Sequence, residues 1–124
     1  MLRKFFAAAL FVLASSPAFA ASKMYISEYT NTGLAIGQLV QVASEPAITD
    51  QPPVDYSGGV ASSAAFNAST NIVRVLCTST CSIKFGTSPT ATTSNKPLAA
   101  GNPEYFAVPV GQAFKISVIS NTDF

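Results

Sequence analysis

Residues 71–86 read N-I-V-R-V-L-C-T-S-T-C-S-I-K-F-G, two short runs of alternating side chains around the triplet T-S-T. Every second residue of each run is apolar, and β-branched and aromatic types dominate, as is typical of strands with one buried face. The apolar faces carry Val73, Val75 and Cys77 in the first run and Cys81, Ile83 and Phe85 in the second. The pattern predicts a β-hairpin with both apolar faces on the core side.

A three-residue turn in this hairpin places Cys77 opposite Cys81, with both side chains toward the core. Opposed strand residues have Cβ atoms about 4.5 to 5.5 Å apart, slightly beyond the usual disulfide spacing, so a disulfide can form. Two small buried thiols are the alternative, whereas a metal or redox centre is disfavoured because the spacing is C-x-x-x-C and the chain has no His. Three-residue hairpin loops usually need Gly in the left-handed position, where Thr80 is a poor substitute, so a wider turn is a second option.

The rest of the chain also contains short runs in which apolar and polar residues alternate. Further strands are predicted at residues 24–29, 36–42, 103–110 and 113–120. Residues 60–66 fit either a short strand or one helical turn, and the prolines within residues 45–56 exclude a central strand there. With about seven short strands and no sustained helical period, the chain predicts an all-β fold, a single antiparallel β-sandwich or jelly-roll-like domain.

The first twenty residues have the features of a secretory signal peptide. Arg3 and Lys4 precede a short apolar segment, and A-F-A at residues 18–20 resembles a cleavage site. The apolar segment is too short to span a bilayer comfortably. We therefore predict a signal peptide at residues 1–20 and an exported β-sandwich domain at residues 21–124, in the periplasm or outside the cell. The alternative is translation from Met24, which would leave no signal.

The charge of the chain argues against several functions. Without the signal peptide, the chain has five Lys and Arg residues and six Asp and Glu residues, and the basic residues form no stripe. Nucleic-acid binding through phosphate neutralisation therefore has no support. Glu28, Glu45 and Glu104 are isolated in sequence, and such carboxylates are usually solvated surface charges.

The sequence also contains no recognisable catalytic motif. The chain lacks His, the commonest general base, and its Ser-x-Lys spacings at Ser82 and Ser94 have no supporting motif. No Gly-rich phosphate loop is present either. We expect a protein that is not an enzyme and that has no catalytic residues, no cofactor and no metal site.

Two tyrosines are candidates for a binding surface. Tyr25 and Tyr29 fall on one face of the first predicted strand, and Tyr is enriched where surfaces become buried between proteins. The phenylalanines at strand positions are better explained as core residues. We predict that Tyr25 and Tyr29 contribute to a protein interface.

Four segments read Y-I-S-E-Y-T at 25–30, F-N-A-S-T-N-I-V-R at 66–74, C-S-I-K-F-G-T-S-P-T-A-T at 81–92 and P-E-Y-F-A-V-P-V-G-Q-A-F-K-I-S-V-I at 103–119. In this pattern the chain resembles a group of small structural proteins of phages and prophages. The resemblance implies a β-rich virion component, capsid-associated or head-decorating, that works by repeated protein contacts. Such proteins ordinarily begin at the equivalent of Met24, and the resemblance assigns no role to individual residues.

Two functions therefore remain. The first is a structural assembly protein that associates with itself or with capsid proteins through its edge strands and tyrosines, and that resides in the virion if translation starts at Met24. The second is an exported binding or adhesion module. In the second, the Ser- and Thr-rich loop at residues 86–102 would hold a glycan or a cell-surface partner. The favoured prediction for this loop is a polar surface crossover that links one sheet to the other.

Overall fold

The computed structural model describes residues 20–35 and 38–123. The predicted signal peptide lies outside this part of the chain, except for Ala20. Within the described residues there are eleven strands and no helix. The strands are β1 (Lys23–Tyr29), β2 (Thr32–Ala35), β3 (Gln38–Ala43), β4 (Thr49–Asp50), β5 (Val54–Asp55), β6 (Ala61–Ser62), β7 (Ile72–Cys77), β8 (Cys81–Gly86), β9 (Lys96–Leu98), β10 (Glu104–Ala107) and β11 (Lys115–Ser120).

The strands form an antiparallel sandwich, so the predicted fold class is confirmed. One sheet has the order β10-β7-β1-β4, with β5 also paired to β1, and the other has the order β6-β11-β8-β9. Strands β2 and β3 form a separate hairpin. The strand number exceeds seven because the proline-rich and Ser/Thr-rich segments contribute strands of two or three residues.

The core lies between the two sheets and is made by alternate residues of the long strands. Its least exposed aliphatic members, at 2% exposure or less, are Met24, Ile26, Val73, Val75, Ile83, Leu98, Ile116 and Val118. Burying a side chain of this size stabilises a fold by about 1.5 to 3 kcal/mol. The period-two pattern of these residues is therefore what holds the sheets together.

Residues 71–86 form two strands, as predicted, but the strands do not pair with each other. Strand β7 pairs with β1 and β10, whereas β8 pairs with β11 and β9. The chain between them crosses from one sheet to the other, so the predicted hairpin is wrong and the segment is an arch over one end of the core. Cys77 and Cys81 form a disulfide across this arch, with both side chains fully buried and their Cα atoms 6.4 Å apart.

The arch is also held by hydrogen bonds to other parts of the chain. The Thr78 amide donates to the Lys23 carbonyl at 2.9 Å, and the Lys23 amide donates to the Thr78 hydroxyl at the same distance. The hydroxyl of Tyr56, whose side chain is fully buried, donates to the Ser79 carbonyl at 2.6 Å. These hydrogen bonds take the place of the backbone hydrogen bonds that would have joined the two strands of a hairpin.

The loop between β8 and β9 lies on the outer side of its own sheet. The Ala91 amide donates to the Ser117 hydroxyl at 2.8 Å, and the Asn121 side-chain amide donates to the Thr93 carbonyl at 3.2 Å. Ala91, Ser117 and Asn121 are all buried by this contact. After β9 the chain continues to β10 in the other sheet, so residues 87–102 make the predicted crossover.

Short strands and prolines interrupt the sheet edges. Strand β9 contains Pro97, β10 lies between Pro103 and Pro109, and Pro52-Pro53 separates β4 from β5. The other edge strand of the two sandwich sheets, β6, has two residues. Because proline removes a backbone donor and short strands offer few, these edges are poorly suited to pairing with a strand of another chain.

The structure refines two local predictions. The predicted strand at 36–42 is confirmed for residues 38–42 as part of β3, whereas residues 36 and 37 lie outside the described part of the chain. A further strand that was not predicted, β2, begins at Thr32 and pairs with β3. Residues 60–66, for which two conformations were possible, contain the short strand β6.

Candidate contact surface and buried carboxylate cluster

The outward side of the five-stranded sheet carries a row of polar and aromatic side chains. The register pairs Asp50 with Ser27, Ser27 with Arg74, and Arg74 with Tyr105. Opposed residues of antiparallel strands point to the same face of a sheet. Asp50, Ser27, Arg74 and Tyr105 therefore form one row across β4, β1, β7 and β10.

Tyr25 and Leu76 form the neighbouring row on the same side of this sheet. Tyr25 is 44% exposed and Tyr105 is 45% exposed, so both rings are accessible on this side of the sheet. Arg74 is partly exposed between them and makes no ion pair among the described residues. We define this surface, made of Tyr25, Asp50, Arg74, Leu76 and Tyr105, as the outer face.

Asp50 and Arg74 lie on either side of β1 within the outer face. The Asp50 carboxylate accepts a hydrogen bond from the Ser27 hydroxyl at 2.5 Å. Because the two charged residues are two strands apart, their backbones are separated by about 10 Å. The outer face therefore has an acidic side, a central strand and a basic side.

Tyr29 lies on the same side of β1 as Tyr25 but is not part of the exposed surface. Its side chain is only 3% exposed, because residues 44–47 pass over it. Its hydroxyl donates to the Glu45 carboxylate at 2.7 Å, and the other Glu45 oxygen accepts from the Ala47 amide at 3.0 Å. The predicted interface pair is thus divided: Tyr25 is accessible, whereas Tyr29 holds an intramolecular contact.

Burial and the Glu45 carboxylate raise the pKa of Tyr29 from 10.0 to about 12. A raised pKa in the folded state means that the contact stabilises the fold fully below pH 10 and that this contribution is lost as the pH rises through 12. We expect the difference in 295 nm absorbance titration between the wild type and Tyr29→Phe to have a midpoint near pH 12. A midpoint near 10 would contradict the buried Tyr29–Glu45 contact.

Glu28 is a buried carboxylate and not a solvated surface charge, so that expectation from the sequence is wrong. It is the third inward residue of β1, after Met24 and Ile26, and is 1% exposed. Its Oε1 accepts from Gln51 Nε2 at 2.7 Å, and its Oε2 accepts from the Asn67 amide at 2.8 Å and from the Thr70 hydroxyl. The sequence indicates this burial only through the position of Glu28 two residues after Ile26, which places both side chains on the inward side of β1.

Gln51 connects the Glu28 cluster to a small surface recess. Its Nε2 also donates to the Ala64 carbonyl at 3.2 Å, so the amide orientation is set by two acceptors, and its buried Oε1 has no hydrogen-bond partner. The recess has a volume of about 280 Å³, and Pro52 and Ala65 form part of its wall. Since the Glu28 carboxylate already accepts hydrogen bonds from three donors, the role of the cluster is to hold two loops against β1.

No helix in residues 20–35 and 38–123 is long and apolar enough to cross a membrane. The same residues contain no group of three or more His, Cys, Asp or Glu side chains arranged to hold a metal ion. Comparison of the chain with protein-family models, curated proteins and solved structures gave no match.

Proposed function

We propose that this chain is a non-enzymatic structural protein that works by contacts with other protein subunits through the outer face. The observation that carries the proposal is the exposure of Tyr25 and Tyr105 on either side of Arg74. Tyr and Arg are the residue types most enriched among the side chains that dominate binding energy at protein interfaces. The edges of the two sandwich sheets are short or interrupted by proline, which favours association through a face of the sandwich over strand pairing at these edges.

The setting that we propose for these contacts is a phage or prophage virion. The resemblance of four segments of the chain to small phage structural proteins supports a capsid-associated or decorating role. The buried Glu28 carboxylate already accepts from three donors, so it is engaged in holding the fold together, which fits a protein that works by contacts.

The test is to follow the protein in its native source, separated into particles and soluble material. We expect the chain to sediment with particles, and intact mass to identify its first residue. A chain that begins at Met24 would lack the two hydrogen bonds between Lys23 and Thr78. The double variant Tyr25→Ser/Tyr105→Ser should reduce its amount in particles by about tenfold, as expected when aromatic interface side chains are removed. The matched control is Val60→Ser, another exposed apolar residue, which should incorporate as the wild type does.

The second candidate function is an exported binding or adhesion module. The Cys77–Cys81 disulfide favours it, because disulfides persist mainly in oxidising compartments outside the cytosol. A chain that begins at Ala21, remains soluble and monomeric, and is found in the periplasm or medium would support this function and reject the virion role.

A further inference from the structure

We propose that the outer face binds the outer face of a second copy of this chain about a two-fold axis, with Asp50 of each copy paired to Arg74 of the other. This inference rests on the proposed function and names the partner for the contact surface.

The arrangement of charge across the sheet is self-complementary. Asp50 on β4 and Arg74 on β7 lie in one row, one strand to each side of Ser27 on β1. Adjacent strands are about 4.8 Å apart, so the two charged residues are equidistant from β1. A two-fold rotation about an axis that runs above and along β1 therefore exchanges their positions and brings Asp50 opposite Arg74 twice.

The same rotation leaves residues of β1 opposite their own counterparts. Tyr25, which is exposed in the single chain, would meet Tyr25 of the second copy near the axis, where two aromatic rings can stack with an offset. Tyr105 lies one strand beyond Arg74 and would reach past the β4 edge of the second copy. Residues with apolar surface thus flank both charged pairs.

The size of the outer face sets the strength of this contact. Residues 44–47 cover Tyr29, so the accessible rows are those of Tyr25 and Ser27. Four strands and two rows span an area well below the roughly 800 Å² per partner of a standard stable interface. The contact is therefore weak between two free chains and gains strength where many copies are held close together.

Charge complementarity has a direct test in a charge swap. Sedimentation of the purified chain across a wide concentration range should show a reversible monomer–dimer equilibrium. Asp50→Arg and Arg74→Asp should each lower the association constant about tenfold or more, because each places like charges opposite each other. The double variant Asp50→Arg/Arg74→Asp should return the constant to near the wild-type value, since both pairs are restored in reverse.

The controls are Asp123→Arg and Lys84→Asp, which make the same changes of net charge at exposed positions elsewhere. They should leave the dimer unchanged, and thermal unfolding of every variant should show that each is folded. The proposed pairing of Asp50 with Arg74 would be overturned if neither single variant lowered the association constant. It would also be overturned if the double variant did not restore the constant. A wild type that is monomeric at every concentration would overturn the inference but not the proposed function, whose test is incorporation into particles.

Discussion

Replacing Glu28 by Ala is expected to lower the free energy of unfolding by about 3 to 5 kcal/mol, because each buried donor left without an acceptor costs about 1 to 3 kcal/mol. The donors are Gln51 Nε2, the Asn67 amide and the Thr70 hydroxyl. They belong to the loop after β4 and the segment before β7, so both would lose a side-chain contact with β1 and keep only backbone hydrogen bonds to it, from Gln51 to Ile26 and from Asn71 to Tyr29. Urea unfolding followed by circular dichroism measures the loss.

Two further variants separate the hydrogen bonds from the mere removal of a side chain. Glu28→Gln keeps the shape and one acceptor oxygen and should cost about 1 to 2 kcal/mol, since one donor then faces another donor. Glu104→Ala, which removes a partly exposed carboxylate of β10, should change stability by no more than about 0.5 kcal/mol. Equal small effects for Glu28→Ala and Glu104→Ala would mean that the cluster contributes nothing.

Removing the Cys77–Cys81 disulfide is the second large expected effect. The bond closes a loop of about five residues, for which the chain-entropy relation gives about 2 kcal/mol of stabilisation through the unfolded state. Reduction of the wild type should therefore shift its urea midpoint downward by an amount that corresponds to about 2 kcal/mol. The variant Cys77→Ala/Cys81→Ala should lose this much and somewhat more, because the two sulfur atoms also fill space in the core.

The reduced protein is nevertheless expected to keep its fold. The Tyr56 hydroxyl and the paired contacts between Thr78 and Lys23 hold the arch independently of the sulfur atoms. The internal control is that reductant has no effect on the urea midpoint of the double Ala variant. An oxidised and a reduced wild type with the same midpoint, despite a mass difference of about two hydrogens, would show that the disulfide does not stabilise this fold.

Much of the fold could be predicted from local patterns because strand periodicity depends on immediate neighbours. Alternation at residues 72–77 and 115–120 correctly predicted two long strands and their buried residues, including Val75 and Val118. The strand predicted at residues 103–110 is shorter in the structure: β10 ends at Ala107, Pro109 follows, and Val110 is 53% exposed. The alternation of apolar and polar residues therefore predicts which side chains are buried only within the strand itself.

The candidate surfaces were less predictable because exposure depends on which distant segment covers a residue. Tyr25 and Tyr29 have the same parity, yet a loop sixteen residues after Tyr29 buries it and leaves Tyr25 open. Glu28 has the parity of a core residue, but its three donors come from residues 23 to 42 positions away in sequence. Neither the coverage nor the donors can be seen from the residues around β1.

The sequence by itself determined that this protein is an all-β sandwich whose long strands bury alternate residues, because that information lies in the order of apolar and polar side chains. Only the tertiary structure decided that β7 and β8 belong to different sheets. In a hairpin, the two apolar faces lie side by side on one sheet, and in an arch they face each other across the core. Both bury the same residues and bring Cys77 near Cys81, so the alternation is identical, and pairing with β1, β10, β9 and β11 made the choice.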